Sequence, residues 1–215
     1  MTRTIARRVA SLFGAGVLLC GLVACSQAAG DPGGGSPSPA PPSVSASATP
    51  TPTPTPSATY EPASADGPAE NVPVPVMPEE AKLESKEGLE AFARYWYEAA
   101  NYGYETGDVS LVKAISGPEC VACLKYYEVV ENGFIDDDWM AGAKIDIQDA
   151  YSEYVLTPEG RYQALAQLQQ DGIEYYGPEG LQEAEEADFQ PIVQLFEATW
   201  TNGQWLTAAI ITIKQ

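Results

Sequence analysis

The sequence predicts an α+β fold for residues 79–215 of a 215-residue chain. Between Ser85 and Gly107, apolar residues recur every three or four positions, which is the period of an amphipathic helix. After Gly142 the pattern changes to that of strands. Near the C-terminus, Asn202-Gly203 is the dipeptide of a two-residue β-hairpin turn. Helices followed by an antiparallel sheet are the element order of an α+β domain.

Three helices are predicted at the start of this domain. The first is capped by Ser85 and buries one stripe of side chains before it ends near Gly107. Asp108 caps a short second helix over residues 109–116. A third helix begins at Gly117-Pro118, because proline fits the first helical position, and runs to about residue 131. The buried stripe of the first helix consists of Leu89, Phe92, Trp96, Ala99 and Gly103.

Four strands are predicted after the helices, over residues 144–155, 162–169, 192–200 and 205–213. The second of these is also compatible with a helix. A two-residue turn at Asn202-Gly203 predicts three cross-strand pairs and places two tryptophans on one face, in a core or in the wall of a pocket. The pairs are Trp200 with Trp205, Ala198 with Thr207, and Phe196 with Ala209.

Residues 1–24 have the features of an export signal. Arg3, Arg7 and Arg8 precede an apolar stretch that is too short to span a bilayer comfortably. The run Leu22-Val23-Ala24-Cys25 resembles the bacterial lipobox, in which the cysteine thiol receives a diacylglycerol and becomes the new N-terminus. The alternative is an ordinary signal peptide with an incidental cysteine. We expect lipidation of Cys25 and a location on the extracytoplasmic face of the cell membrane.

Residues 25–78 are predicted to form a disordered linker. The Thr-Pro alternation over residues 49–56 and the flanking Ser, Ala and Gly residues offer almost no apolar surface. Prolines favour polyproline II, so about fifty residues can reach roughly 150 Å from the membrane. Residues 79–215 then form one domain.

The chain is strongly acidic, with a net charge of −19 and no histidine. The signal peptide contains three of the eleven basic residues and none of the thirty acidic ones, so the mature charge is about −22. Nucleic acid is therefore excluded as a partner on electrostatic grounds. The absence of histidine removes the commonest general base and the usual catalytic triads.

Cys120 and Cys123 are the two cysteines that remain in the domain. Two nearby thiols in an exported protein usually oxidise, so a disulfide at the start of the third helix is expected. Redox chemistry is the alternative, because a Cys-x-x-Cys motif at a helix N-terminus favours a thiolate. No zinc site is expected, since two sulfurs lack further ligands.

No catalytic residue is nominated from the sequence. Acidic and tyrosine side chains on the strand at residues 144–155 could act as general acid or base, but tyrosine and aspartate on a strand more often form a half-exposed face. The run at residues 136–138 lacks the spacing of a calcium loop and fits a solvated turn. These candidates are Asp146, Asp149, Tyr151 and Tyr154 on the strand, and Asp136, Asp137 and Asp138 in the turn.

The order of elements resembles the cone-shaped fold of nuclear transport factor two and SnoaL-like proteins, in which a curved antiparallel sheet wraps the N-terminal helices. Two further runs, at residues 91–98 and 116–123, together with Thr106-Gly107-Asp108, are similar to a family of uncharacterised actinobacterial lipoproteins. This resemblance implies that the protein is located at the membrane as a lipoprotein, that its two cysteines are paired and that it has the fold given above. It implies no activity.

These observations predict a lipid-anchored envelope protein with a non-enzymatic domain that binds a protein, a peptide or a small apolar ligand. No cofactor is expected. Two alternatives remain open at this point. One is a pocket enzyme of SnoaL-like type that uses a carboxylate and a tyrosine, and the other is a tethered thiol oxidoreductase that uses Cys120 and Cys123.

Overall fold

The computed structural model describes residues 58–187 and 190–213. The predicted signal peptide, the lipidation site at Cys25 and the linker up to residue 57 lie outside this range. Among the described residues, no helix combines the length and the apolar character needed to cross a membrane.

The first helix, α1 (Lys86–Thr106), confirms the sequence prediction at both ends. The Ser85 hydroxyl accepts a hydrogen bond from the backbone N–H of Gly88 at 2.9 Å. At the other end, Gly107 adopts a left-handed conformation with φ of 75° and its N–H donates to the Gly103 carbonyl. Serine satisfies a free N–H at the start of a helix, and glycine accepts the positive φ that ends one.

Helices α2 (Ser110–Ala114) and α3 (Val121–Gly133) are both shorter at their N-termini than predicted. The N-cap residue of α2 is Val109 rather than the predicted Asp108, but the Asp108 carboxylate accepts from the Ser110 N–H at 2.8 Å, one residue before the cap. Helix α3 begins after Pro118 because residues 117–120 form a turn, closed by the hydrogen bond from Cys120 N–H to the Gly117 carbonyl at 3.2 Å.

The predicted single curved sheet, wrapped around the helices as a SnoaL-like cone, is wrong. Within residues 58–187 and 190–213, seven strands form two separate antiparallel sheets, although the class remains α+β overall. Three of the strands were not predicted. The three-stranded sheet has the order β1 (Trp139–Gly142), β4 (Ile173–Gly177), β5 (Gly180–Glu185), and the four-stranded sheet has the order β2 (Ile145–Tyr151), β3 (Tyr162–Gln170), β6 (Ile192–Thr201), β7 (Gln204–Ile213).

The hairpin between β6 and β7 confirms the predicted turn. Asn202 and Gly203 have φ values of 54° and 78°, as a type I′ turn requires. The pairs Trp200 with Trp205 and Ala198 with Thr207 are present. The third predicted pair is wrong, because the register shifts next to Ala198 and Phe196 therefore faces Ile210.

The main core lies between α1 and the inner face of the four-stranded sheet. Phe92 of α1 and Phe196 of β6 are almost fully buried, and their ring centroids lie 5.9 Å apart. Trp96 and Trp205 complete this aromatic cluster, each 6.4 Å from one of the two phenylalanine rings. Trp205 is only 2% exposed, so this member of the tryptophan pair belongs to the core.

Residues 58–78, which composition had assigned to the linker, have defined structure and are referred to below as the arm. A small hairpin pairs Ser64 with Gly67 and Glu61 with Glu70. Met77 packs against the core, just before the short 3₁₀ helix Glu79–Lys82. The described structure therefore includes about twenty residues on the N-terminal side of the predicted domain boundary.

Candidate functional site

An open cleft of about 630 Å³ lies between the arm and the C-terminal half of α1. The loop from α3 to β1 forms its third side. This volume is in the range of ordinary ligand sites. The cleft is lined by Pro68, Ala69, Asn71, Val72, Tyr102, Glu105, Thr106, Phe134, Asp136, Asp137, Asp138 and Trp139.

The arm is held in place by polar contacts to two elements of the domain. The Tyr60 hydroxyl donates to the Glu105 carboxylate of α1 at 2.7 Å. The indole N–H of Trp139 donates to the Ser64 carbonyl at 2.8 Å. Asn71, with φ of 55°, donates its amide to the Thr59 carbonyl at 2.9 Å and closes the loop of the arm. One wall of the cleft therefore depends on segments far apart in sequence.

The acidic side of the cleft is the short loop between α3 and β1. Asp136 has a φ of 57°, a conformation that aspartate tolerates better than most residues. Asp138 is fixed by two hydrogen bonds, from its N–H to the Ile135 carbonyl and from the Gln182 amide to its carboxylate at 3.0 Å. Within the described chain, the side chains of Asp136 and Asp137 are exposed and form no ion pair or hydrogen bond.

The cleft combines negative charge with aromatic surface. Four carboxylates, three aromatic rings and no lysine or arginine are found among its lining residues. Burial raises the pKa of the neighbouring Tyr60 to about 12, and the hydrogen bond and the charge of Glu105 act in the same direction. A carboxylate and a ring face both attract cations, so this surface is suited to a cationic group.

The aspartates at positions 136–138 are not arranged as a metal site. In the part of the chain that the structure describes, no group of three or more His, Cys, Asp or Glu side chains could hold a metal ion. The sequence singled out this run as a solvated acidic turn. The structure adds that the turn faces a cleft.

The strand residues considered as acid or base do not converge on one cavity. Asp146, Asp149 and Tyr151 are exposed on β2. Asp149 forms an ion pair with Arg94 at 3.2 Å, and the Tyr151 hydroxyl hydrogen-bonds to Glu153. The fourth, Tyr154, lies beyond the end of β2, contrary to the prediction of a strand up to residue 155, and stacks on Tyr162 with ring centroids 4.6 Å apart. These contacts fit the half-exposed strand face that the sequence offered as the alternative.

The predicted disulfide between Cys120 and Cys123 is present, with a Cα–Cα distance of 5.2 Å. Both side chains are fully buried at the N-terminus of α3, and the Cys120 sulfur accepts a hydrogen bond from the Cys123 N–H. The cleft lies at the other end of this helix, about 20 Å away for thirteen residues. The pair is therefore remote from the cleft.

The double substitution Cys120→Ala/Cys123→Ala is expected to lower the free energy of unfolding by about 2 kcal/mol, because the closed loop is short. Urea unfolding measures the effect, with Val121→Ala, an exposed neighbour, as the control. Burial also predicts a reduction potential below about −300 mV. A potential above roughly −230 mV in a thiol redox buffer would contradict a structural role.

A second, smaller cavity of about 290 Å³ is mainly apolar and lies where the end of the arm meets the β6–β7 turn. Met77, Phe92 and Trp205 contribute to its wall. The indole N–H of Trp205 in this wall already donates to the Leu83 carbonyl at 2.9 Å.

Two solved structures that resemble this chain are distant likenesses. The intermembrane space region of the chloroplast protein ARC6 is 8% identical, with 62% of this chain and 99% of that chain covered and a TM-score of 0.42. A putative calcium/calmodulin dependent protein kinase II association domain from Xanthomonas campestris is 11% identical, with 59% and 84% covered and a TM-score of 0.29. Neither likeness is close enough to carry an argument.

No curated protein matches the sequence. Residues 58–210, which include the arm, the cleft and both sheets, match a family whose function is unknown. Since this match covers more than half of the chain, the protein belongs to the family of unknown function DUF6318.

Proposed function

We propose that the mature protein is a lipoprotein, similar to those of actinobacteria, that is anchored through Cys25 to the extracytoplasmic face of the cell membrane. The lipobox-like run at residues 22–25 and the preceding charged and apolar segments support this location. The linker then carries the folded domain away from the membrane.

We further propose that the domain binds a cationic group in the acidic cleft, without catalysis. The single observation that carries this proposal is the composition of the cleft wall, with four carboxylates, three aromatic rings and no basic side chain. The ligand class that fits best is a peptide or protein segment with arginine or lysine side chains. A guanidinium group in particular can pair with a carboxylate and stack on a ring.

Expected affinities are modest, because Asp136 and Asp137 are exposed to water and Glu105 and Asp138 are only partly buried. Pairs between exposed charges contribute about 0.2–1 kcal/mol each, and a cation over an aromatic ring adds roughly 0.5–1 kcal/mol. Several such contacts give binding in the micromolar to millimolar range, which salt weakens.

The other two functions considered from the sequence have less support. Thiol exchange needs an accessible sulfur, and both Cys120 and Cys123 are fully buried. A carboxylate–tyrosine enzyme needs its side chains in one water-excluding cavity. The candidates on β2 are exposed, and Asp149 and Tyr151 are already engaged with Arg94 and Glu153.

Tetra-arginine is expected to bind the parent protein in a titration followed by tryptophan fluorescence. The double substitution Asp136→Asn/Asp137→Asn should weaken this binding about three- to tenfold, because two charge pairs are lost. Neither side chain has a partner among the described residues, so the fold should be unaffected.

The matched control is Glu128→Gln/Asp171→Asn, which removes the same amount of charge from exposed positions outside the cleft wall. Binding by this control should stay within about twofold of the parent. Equal weakening by both double variants would mean that net charge rather than the cleft attracts the peptide. Tetra-glutamate should not bind.

A further inference from the structure

The outer face of the four-stranded sheet carries a continuous apolar row. Tyr151 of β2 faces Leu165 of β3, Leu165 faces Leu195 of β6, and Leu195 faces Ile211 of β7. All four strands therefore contribute one apolar side chain at the same level. Since directly opposed residues share a face of the sheet, the four side chains form one band across it.

This band is accessible to solvent. Tyr151, Leu165 and Ile211 are 45%, 44% and 50% exposed, and Ile213 in the next row is 42% exposed. A shallow cavity of about 300 Å³ opens at the β2–β3 end of the row, with Tyr151, Leu165 and Leu195 in its wall. A contiguous exposed apolar surface of this kind marks an interaction site more often than isolated apolar residues do.

Two carboxylates beside the row are neutralised by ion pairs, whereas a third, Glu153, accepts a hydrogen bond from the Tyr151 hydroxyl and forms no ion pair with the described residues. Asp149 pairs with Arg94 at 3.2 Å, and Glu197 pairs with Arg161 at 2.8 Å. The Lys86 ammonium lies 4.4 Å from the centre of the Tyr151 ring. A chain with a net charge of −19 repels its own copies over most of its surface, but this repulsion is weakest where carboxylates are neutralised.

We propose that this face binds the same face of a second copy of the chain, so that the protein forms a two-fold symmetric homodimer. The surface meets the requirement of such a contact, because an apolar row flanked by ion pairs is complementary to itself. Two sheets that pack face to face bury their apolar side chains between them. Ile211 or Leu195 of one copy can enter the shallow cavity of the other.

The available area predicts a weak dimer. Four strands spaced about 4.8 Å apart, with paired segments about 25–30 Å long, give a face of about 500 Å² in each copy. Two copies bury about 1,000 Å², which is near the lower limit for a specific interface. Weak and transient complexes lie at this end of the size range, so we expect a dissociation constant in the micromolar range. The proposal is independent of the cleft and its ligand.

Sedimentation equilibrium of the mature chain from residue 26 onward, which carries no lipid, tests the proposal. At about 100 µM the parent is expected to have twice the mass of one chain. Leu195→Glu should have the mass of a monomer at the same concentration. In a symmetric dimer this substitution would bury two unpaired carboxylates, one from each copy, in the apolar interface. Leu181→Glu, on the exposed strand β5 of the other sheet, is the matched control and should remain a dimer.

A second variant keeps the test decisive if Leu195→Glu does not fold. Leu165→Cys in the full lipidated protein, oxidised in native membranes, should give a disulfide-linked dimer on a non-reducing gel. The control variant Leu181→Cys should give much less of the disulfide-linked dimer. Each variant is compared with the parent by near-ultraviolet circular dichroism.

Three outcomes would overturn the proposal. The first is a parent that stays monomeric at about 100 µM. The second is a Leu195→Glu protein that folds and still dimerises. The third is a monomeric parent that pellets with phosphatidylglycerol vesicles unless Leu195 is replaced, which would assign the face to the membrane surface.

Discussion

Replacement of Cys25 by alanine, behind a secretory signal that is cleaved without lipid attachment, is expected to move the protein from the membrane fraction to the soluble fraction. The proposed diacylglycerol supplies two acyl chains at this residue. Each buried CH₂ contributes about 0.8 kcal/mol, so two chains hold a protein on a bilayer for far longer than one. Loss of both chains should leave almost none of the protein in the pellet.

Two controls accompany this fractionation. Cys20→Ala in the native precursor should leave the protein in the membrane fraction, since Cys20 is preceded by a poorer lipobox. Mass spectrometry of the parent should locate the lipid on Cys25. A Cys25→Ala protein that pellets as firmly as the parent would show that the anchor lies elsewhere.

The substitution Phe196→Ala is expected to lower the free energy of unfolding by about 3–5 kcal/mol. Phe196 is fully buried, and its ring contacts Phe92, Trp96 and Tyr97 of α1 with centroid distances of 5.9, 6.4 and 6.3 Å. Alanine leaves a cavity at the point where α1 meets the four-stranded sheet. Rigid aromatic neighbours on three sides make collapse of that cavity difficult.

Thermal unfolding measures this effect, and a fall of about 10 °C in the midpoint is expected for a domain of this size. Leu181→Ala is the control, because this leucine is 56% exposed on β5. Its midpoint should change by less than about 2 °C. A loss below about 1 kcal/mol for Phe196→Ala would contradict the position assigned to this core.

Local signals explain why the helices and the last hairpin could be predicted. Ser85 and Gly107 act within one or two turns of their own positions, so the ends of α1 are encoded next to the helix itself. Asn202-Gly203 likewise fixes the β6–β7 turn, and the pair Trp200–Trp205 follows from it. The prediction lost register only beyond Thr207, because the irregularity that moves Phe196 to Ile210 has no marker in the sequence.

The second sheet could not be predicted because its strands lack an apolar alternation. Strand β5 is exposed along almost its whole length, and Glu183 and Glu185 occupy positions that composition assigns to a loop. Strand β1 has only four residues. Strand β5 is held by a local hairpin with β4, whereas β1 is held by pairing with β4 and by the stacking of Trp139 on Tyr176, which lie 37 residues apart.

The acidic cleft was missed for the same reason. Its walls come from the arm, from α1 and from the α3–β1 loop, so no single stretch of sequence carries the pattern. The arm itself is rich in proline and alanine, so its composition predicts a linker. Its structure depends on two hydrogen bonds, from the Tyr60 hydroxyl to Glu105 and from the Trp139 indole to the Ser64 carbonyl. Amino-acid composition gives no indication of such long-range contacts.

The most direct test of the proposed cationic ligand uses the four tryptophan indole N–H resonances of the ¹⁵N-labelled protein, titrated with tetra-arginine. Trp139 lines the cleft and donates to Ser64 of the arm, whereas Trp96, Trp200 and Trp205 are absent from the cleft wall. The account predicts that the Trp139 signal moves with peptide concentration while the other three stay in place. A stationary Trp139 signal, or movement of Trp200 or Trp205 in its stead, would contradict it.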